Sequence, residues 1–229
     1  MKKRLIILSG AGMSAESGIS TFRDSGGLWD KYPIEQVATP EAWQINPDLV
    51  LEFYNIRGKE LLSVQPNDGH FGLAELEKDF DVQIITQNVD NLHERAGSTN
   101  VLHLHGELMK VRSVGDASDI IELDAQRPEI FVGDVCKKGH QLRPHIVWFG
   151  EAVPLIEKAA RIVETADIVV VIGTSLNVYP AAGLLGYVPR GVPIYLIDPN
   201  EVAVSRGDIH FIKKGASEGV KELRNVLMC

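Results

Sequence analysis

Leu5-Ile6-Ile7-Leu8-Ser9-Gly10-Ala11-Gly12-Met13-Ser14-Ala15 is the stretch that decides the fold. Four consecutive aliphatic residues ending at a small polar residue read as a strand buried on both faces of a parallel sheet. The glycine pattern G-x-G-x-x-A follows at once, where a strand-to-helix turn is expected. In such a loop the first glycine permits a tight turn and the second lets backbone approach a pyrophosphate. Ala15 is expected to allow close packing of helix on strand, and the helix N-terminus favours an anion. A lone glycine fingerprint equally suits a tight turn with no ligand.

Working outward, three further aliphatic runs read as strands of the same kind: Val82-Gln83-Ile84-Ile85, Ile168-Val169-Val170-Val171-Ile172 and Ile194-Tyr195-Leu196-Ile197. Helical periodicity lies between or after them, at 68–78, at 154–166 and in the C-terminal stretch with Val220, Leu223, Val226 and Leu227. This alternation predicts an α/β chain, a Rossmann-like doubly wound parallel sheet. Two segments break it. Residues 31–67 look helical but are interrupted by Pro33, Pro40, Pro47 and Pro66, and residues 109–150 are short alternating pieces such as Ile120–Leu123 and Glu129–Val132. The expected division is a Rossmann-like domain of 1–30, 81–108 and 151–229, with 31–80 and 109–150 forming a smaller inserted module.

Composition narrows the partners. With 31 acidic and 23 basic residues in 229, the net charge is −8, which disfavours nucleic acid and anionic membranes. Cys136 and Cys229 cannot build a disulfide framework. The apolar run after Met1-Lys2-Lys3-Arg4 is too short for a signal peptide, and no run is long enough for a membrane span. A cytoplasmic protein is expected.

Three places carry chemistry. The acidic residue that an ordinary dinucleotide fold places about 20 positions after its glycines is missing, which argues against a dehydrogenase. The second strand runs into Thr86-Gln87-Asn88-Val89-Asp90-Asn91-Leu92-His93, where ligands sit in open α/β sheets. Its amides and carboxylate suit a carboxamide or ribose, or equally turn and helix-cap chemistry. His103-Leu104-His105-Gly106 would put both histidines on one face of a strand. They could be metal ligands, a base with a neighbour, or satisfied polar groups at a domain seam, and residues alone favour the last.

Taken in order, Gly10-Ala11-Gly12-Met13-Ser14-Ala15-Glu16-Ser17-Gly18-Ile19 with Phe22-Arg23, Gln87-Asn88-Val89-Asp90, His105-Gly106, Val147-Trp148-Phe149-Gly150-Glu151 and Gly173-Thr174-Ser175 resemble the sirtuin family. The likeness covers nearly the whole chain. Asn91–Gly97 and Tyr179–Gly183 look most like its bacterial members. It implies NAD-dependent removal of acyl groups from lysines of proteins or peptides, giving nicotinamide, free lysine and O-acyl-ADP-ribose, with NAD consumed. By resemblance, His105 is the general base that activates a ribose hydroxyl, a task suited to a near-neutral imidazole. Gly10, Ala11, Gly12, Ser14 and Ala15 fall on the pyrophosphate side, and Ile19, Phe22, Arg23 and Trp29 belong to the cofactor loop and its surroundings. Gln87 would meet the nicotinamide ribose, and Asn88, Val89 and Asp90 the nicotinamide pocket. Gly173, Thr174, Ser175, Leu196, Ile197, Asp198 and Ala216 would surround the adenosine half. The acyl peptide would lie extended along Val147, Trp148, Phe149 and Gly150 and near Leu176-Asn177-Val178.

The chain departs from the family in its zinc site. Sirtuins usually carry four cysteines, whereas here Ser113 stands near the first expected position and only Cys136 remains. Cys136 and His140 would supply two ligands of the four that a closed site needs, so no zinc is expected. Packing of Ile120, Ile121, Leu123, Ile130 and Phe131 is expected to hold the module instead. His103 is expected to serve stability more than chemistry. Finally, Tyr54 and Arg57 are three apart on a presumed helix, hence on one face. Spacing alone suggests a surface arginine beside a partly buried tyrosine. The Tyr-x-x-Arg pair also matches that of succinyl-removing sirtuins, which implies activity on succinyl- and malonyl-lysine besides acetyl-lysine. ADP-ribosyl transfer and a non-catalytic NAD or ADP-ribose module are the competing functions, and the latter would not need a base. Oligomeric state is not legible.

Overall fold

The structure, a computed structural model, describes residues 2–19, 31–174, 181–200, 202 and 208–228. In chain order the strands and α-helices are β1 (Arg4–Ser9), α1 (Gly12–Ala15), α2 (Ile34–Val37), α3 (Pro40–Ile45), α4 (Pro47–Ser63), α5 (Asp68–Glu75), β2 (Asp81–Thr86), α6 (Leu92–Arg95), β3 (Val101–His103), β4 (Gly106–Ser113), β5 (Ile120–Glu122), β6 (Leu142–Ile146), α7 (Ile156–Val163), β7 (Ile168–Ile172), β8 (Ile194–Ile197), β9 (Ile209–Ile212) and α8 (Ala216–Leu227).

Six strands form one parallel sheet in the order β3-β2-β1-β7-β8-β9. Counted within the sheet, that is the 3-2-1-4-5-6 order of a dinucleotide-binding fold. The aliphatic runs are continuous because both faces are covered. Ile6, Leu8, Val169 and Val171 pack under α7, with Leu184, Leu185 and Leu196. Leu5, Ile7, Val170 and Ile172 pack on the opposite face against Leu73 of α5 and Val220 and Leu223 of α8. Alternate residues of one strand thus feed two cores. Crossing directions reverse between β1 and β7, so the crevice outside the C-terminal ends of those two strands is the binding position.

A second, antiparallel sheet, β5-β4-β6, carries the smaller layer. The prolines of 31–67 start helices there rather than preventing them. Pro40 and Pro47 occupy first-turn positions, and Thr39 and Asn46 cap the helices through their side chains. The segment 31–80 divides between layers: α4 packs with Leu108, Ile146 and Trp148, while α5 packs on the large sheet.

One expectation about the small layer needs correction. Ile120, Ile121 and Phe131 are exposed. The core there is Leu51, Val111, Ile130, Cys136 and Leu142, with Trp43 and Leu123 at its margin. Glu129–Val132 is irregular. The Asn55 side chain of α4 takes the place of a strand partner, donating to the Ile130 carbonyl at 2.9 Å and accepting the Ile130 N–H at 3.1 Å. Cys136 lies 3.5 Å from Ser113 Oγ. One thiol beside one hydroxyl does not fit a tetrahedral zinc site. Among the described residues, no group of three or more His, Cys, Asp or Glu side chains is placed to hold a metal ion.

Candidate active site

The loops after β1 and β7 interlock through glycines. Gly10 N–H donates to the Ile172 carbonyl at 3.0 Å, and Gly12 N–H to the Gly173 carbonyl at 2.8 Å. A Cβ on Gly10 would stand 2.6 Å from Thr174 Cβ, and one on Gly12 only 2.8 Å from Gly173 Cα. Gly173 itself has φ +62 and could accept no side chain without meeting Met13 backbone. This cradle admits close approach of a phosphate group to backbone, and the NAD expectation fits it. Two details differ from the sequence expectation. Ala15 is exposed, so the close packing belongs to the glycines. Helix α1 is a single turn, so it offers no long helix dipole to favour an anion, and the N–H groups of Gly10, Gly12, Met13 and Ser14 already donate to protein carbonyls.

Beside the cradle, Ser14 is buried and joins two residues of the next loop. It donates to Asp90 Oδ2 at 2.9 Å and accepts from Asn88 Nδ2 at 3.1 Å. Asp90 Oδ1 accepts the Leu92 N–H at 3.1 Å, so helix capping and site formation use one carboxylate. Burial raises the Asp90 pKa, opposed by those hydrogen bonds and by the charges of His103 and Arg57. Val89 and Ile19 are partly buried against the cluster that contains Tyr54 and Trp148. Gln87 donates from its amide to Thr174 Oγ1 at 3.3 Å, spanning the loops after β2 and β7.

His105 stands just before β4. Its Nδ1 lies 3.1 Å from the Gln87 carbonyl oxygen, which can only accept. The ring proton therefore sits on Nδ1, and Nε2 of the neutral ring keeps a free lone pair. Burial lowers the His105 pKa, partly offset by the Gln87 contact, so the ring is neutral at neutral pH. That is the state a general base requires.

The peptide-side stretch is braced from within. Val147 N–H donates to the His105 carbonyl at 2.9 Å, Trp148 N–H to Glu151 Oε2 at 2.8 Å, and Phe149 N–H to the Ala38 carbonyl at 3.0 Å. A peptide lying there therefore meets carbonyl acceptors rather than these donors. Arg143 forks onto Glu151 at 2.8 and 3.1 Å and lies 3.3 Å from the centroid of the buried Trp148 ring. Gly150 follows with φ +91, closing the turn.

Tyr54 and Arg57 project from α4 toward this region. Tyr54 is 6% exposed and packs with Ile146 and Trp148, more deeply buried than the partly buried tyrosine that spacing alone suggested. Burial pushes its pKa up to about 12, which keeps the hydroxyl a neutral donor. Arg57 is half-buried, with its guanidinium carbon 5.7 Å from the Phe53 ring centroid, and its charge is felt at both Tyr54 and Asp90.

On the adenosine side, Leu196 and Ile197 point into the two cores, so their side chains are unavailable and only backbone can meet a ligand. Asp198 is buried, with Oδ1 on the Asn200 N–H at 2.9 Å, and Ala216 begins α8. Phe22, Arg23, Trp29, Ser175 and Leu176–Val178 lie outside the described residues.

Sequence inspection missed a buried polar group under the cradle. Asn67 caps α5 and donates from its amide to the Met13 carbonyl at 2.9 Å and to Ser17 Oγ at 3.1 Å. His70 and His93 meet edge-to-face at 4.9 Å, and His93 Nε2 contacts Ser9 Oγ at 3.0 Å. The Asn67-x-x-His70 spacing, a capping box with histidine at its third helical position, was the available signal.

With this geometry in place, comparison with known proteins is direct. Residues 10–180 match the Sir2 family. A protein named NAD-dependent protein deacylase from Bacteroides thetaiotaomicron is 64% identical over 230 residues, covering 99% of this chain and 98% of that one. One of the same name from Helicobacter pylori is 54% identical over 197 residues, covering 86% and 85%. Among solved structures, a Sir2 homologue mutant complexed with ADP-ribose superposes with TM-score 0.88 at 41% identity, covering 99% of this chain and 94% of that one. A Sir2 homolog–NAD complex gives 0.87 at 41%, covering 99% and 91%.

Proposed function

The chain belongs to the Sir2 family and is an NAD-dependent lysine deacylase, and from that premise we propose that His105 is its general base and that Tyr54 and Arg57 extend its range to succinyl and malonyl groups. When bound, NAD would supply an electrophilic ribose carbon for the acyl oxygen and a nicotinamide leaving group. The protein's part is positioning and proton transfer. The glycine cradle holds the pyrophosphate side, Gln87 the nicotinamide ribose, and the Ser14–Asn88–Asp90 network the carboxamide. His105 Nε2 takes a proton from a ribose hydroxyl while the Gln87 carbonyl holds the other ring nitrogen. The activated hydroxyl attacks the captured acyl carbon, the lysine amine leaves, and one water is consumed, so the products are nicotinamide, free lysine and O-acyl-ADP-ribose.

The acyl range rests on physical matching. A succinyl carboxylate entering an apolar channel is costly unless paired. A guanidinium offers two charge-assisted bonds, and a tyrosine hydroxyl held neutral by burial offers a third donor. Acetyl-lysine lacks the carboxylate and still fits. The protein partners are acyl-lysine proteins, and the cytoplasm is the compartment we assign. Among the described residues, no helix is long and apolar enough to cross a membrane.

One observation carries the assignment of the base: a half-buried imidazole whose Nδ1 is committed to a carbonyl and whose neutral Nε2 meets no hydrogen-bond partner among the described residues. Nicotinamide release measured with and without an acylated peptide tests the whole. Release that requires the peptide supports deacylation. Label transferred from NAD to protein points to ADP-ribosyl transfer, and NAD binding without release points to a binding module.

A further inference from the structure

His103 ends β3 and is buried. Its Nδ1 lies 3.1 Å from the Asn88 carbonyl oxygen, and its Nε2 lies 2.7 Å from Glu94 Oε1 on α6. Neither partner can donate, since a carbonyl has no proton and an ionised carboxylate only accepts. A neutral imidazole carries a single N–H and satisfies one of the two. Both contacts are hydrogen bonds together only when the ring is an imidazolium. On deprotonation the remaining proton goes to the stronger acceptor, the carboxylate. The Asn88 carbonyl then loses its donor.

Two residues on, His105 makes the same Nδ1 contact with the preceding carbonyl, that of Gln87. It has no carboxylate on Nε2. The His103-x-His105 pair thus divides into a charged clamp and a neutral base, gripping consecutive carbonyls of one loop. That loop carries the Asn88 and Asp90 side chains that meet at Ser14.

We propose that His103, held doubly protonated by Glu94, is a positioning residue that fixes the Asn88–Asp90 loop for the nicotinamide half of NAD. This rests on assigning Asn88 and Asp90 to the nicotinamide pocket. The charges around the ring are mixed. Burial opposes the cation, as does His93 beside it, while Glu94, Glu107 and Asp90 favour it, with Lys110 acting on Glu94. Burial is outweighed chiefly by the Glu94 hydrogen bond and charge, so the His103 pKa lies above its ordinary value. The grip is therefore complete below that raised value and is lost as pH rises through it.

The test is NAD affinity by titration calorimetry between about pH 6.5 and about pH 9, a window spanning a raised imidazole titration. ADP-ribose, which lacks nicotinamide, serves as the control ligand. For the wild type, NAD Kd should weaken roughly tenfold with rising pH, the size of one charge-assisted hydrogen bond, while ADP-ribose stays flat. Glu94→Gln should remove the pH dependence at little cost, because a glutamine amide can donate to Nε2 and leave Nδ1–H on Asn88. His103→Leu should bind NAD roughly tenfold more weakly at every pH. His103→Asn, whose amide replaces the Nδ1 donor, should restore pH-independent affinity. Identical NAD profiles in wild type, Glu94→Gln and His103→Leu overturn the proposal, as does parallel loss of NAD and ADP-ribose affinity, the mark of a purely structural role. Because binding is read without turnover, a wild type that shows the profile but deacylates nothing overturns the proposed function and leaves this role standing.

Discussion

Replacing Arg57 by methionine should divide two activities that share the base and the NAD-binding residues. The substitution keeps most of the aliphatic stem, while the guanidinium and its contact over the Phe53 ring are lost. A succinyl carboxylate would then enter beside Trp148 and a tyrosine that cannot ionise at ordinary pH, with Asp90 as an unfavourable neighbour. Truncating one partner of a fully buried charge pair costs about 2–5 kcal/mol. Arg57 is half-buried and some water remains available, so the lower part of that range applies, about 2–3 kcal/mol. That corresponds to a fall of about 30- to 150-fold in kcat/KM for a succinyl peptide. Acetyl-lysine has no group for the guanidinium to meet and should change by less than about threefold. The assay is steady-state deacylation of matched acetyl and succinyl peptides at saturating NAD, followed by mass spectrometry. Tyr54→Phe should show the same selectivity with a smaller loss, since it removes one neutral donor. Equal losses on both peptides would refute the reasoning, because Arg57 would then support the fold or the Asp90 loop rather than the acyl carboxylate.

His105→Ala should lower turnover about 100-fold or more while leaving NAD affinity and melting temperature nearly unchanged, checked by kinetics, calorimetry and thermal unfolding. The buried His70 has its pKa lowered to about 4 by burial, and that of His93 is lowered well below its usual value by burial and the charges of His70 and His103. A histidine with a depressed folded pKa leaves stability intact above its unfolded value, near 6.5, and erodes it as pH falls, because the unfolded chain takes up the proton first. Urea unfolding at pH 7 and about pH 5 should therefore differ by about 2 kcal/mol from His70 alone, a difference that His70→Gln should reduce. Glu151→Gln should cost about 2 kcal/mol of stability by breaking the Arg143 fork, and should raise peptide KM more than NAD KM, because the Trp148 turn loosens.

How much of this was legible depended on what each residue touches. β1, β2, β7 and β8 could be read directly, since burial on both faces demands unbroken aliphatic runs. β9 could not, because it lies at the sheet edge with His210 and Phe211 exposed, and its pattern is that of a loop. The prolines of 31–67 looked like helix breakers because their position relative to Thr39 and Asn46 matters more than their presence. Ile120, Ile121 and Phe131 misled for the opposite reason: hydrophobicity in a short strand does not say which face is covered. At the site, the glycines stood out as residue types, and His105 only through the family resemblance. The division of labour between His103 and His105 did not, because it is set by Glu94, a partner brought in by a separate helix. The Asn67–His70–His93–Ser9 group was equally hidden, being assembled from three elements, β1, α5 and α6.

The most direct test of the central claim is a mass balance. Wild-type protein is incubated with NAD and a succinyl-lysine peptide, and nicotinamide, free-lysine peptide and O-succinyl-ADP-ribose are quantified together by mass spectrometry. Equal molar amounts of all three, with none of the third formed by His105→Ala above background, are expected. Nicotinamide released without an equal yield of O-succinyl-ADP-ribose, or free lysine formed in the absence of NAD, would contradict the account.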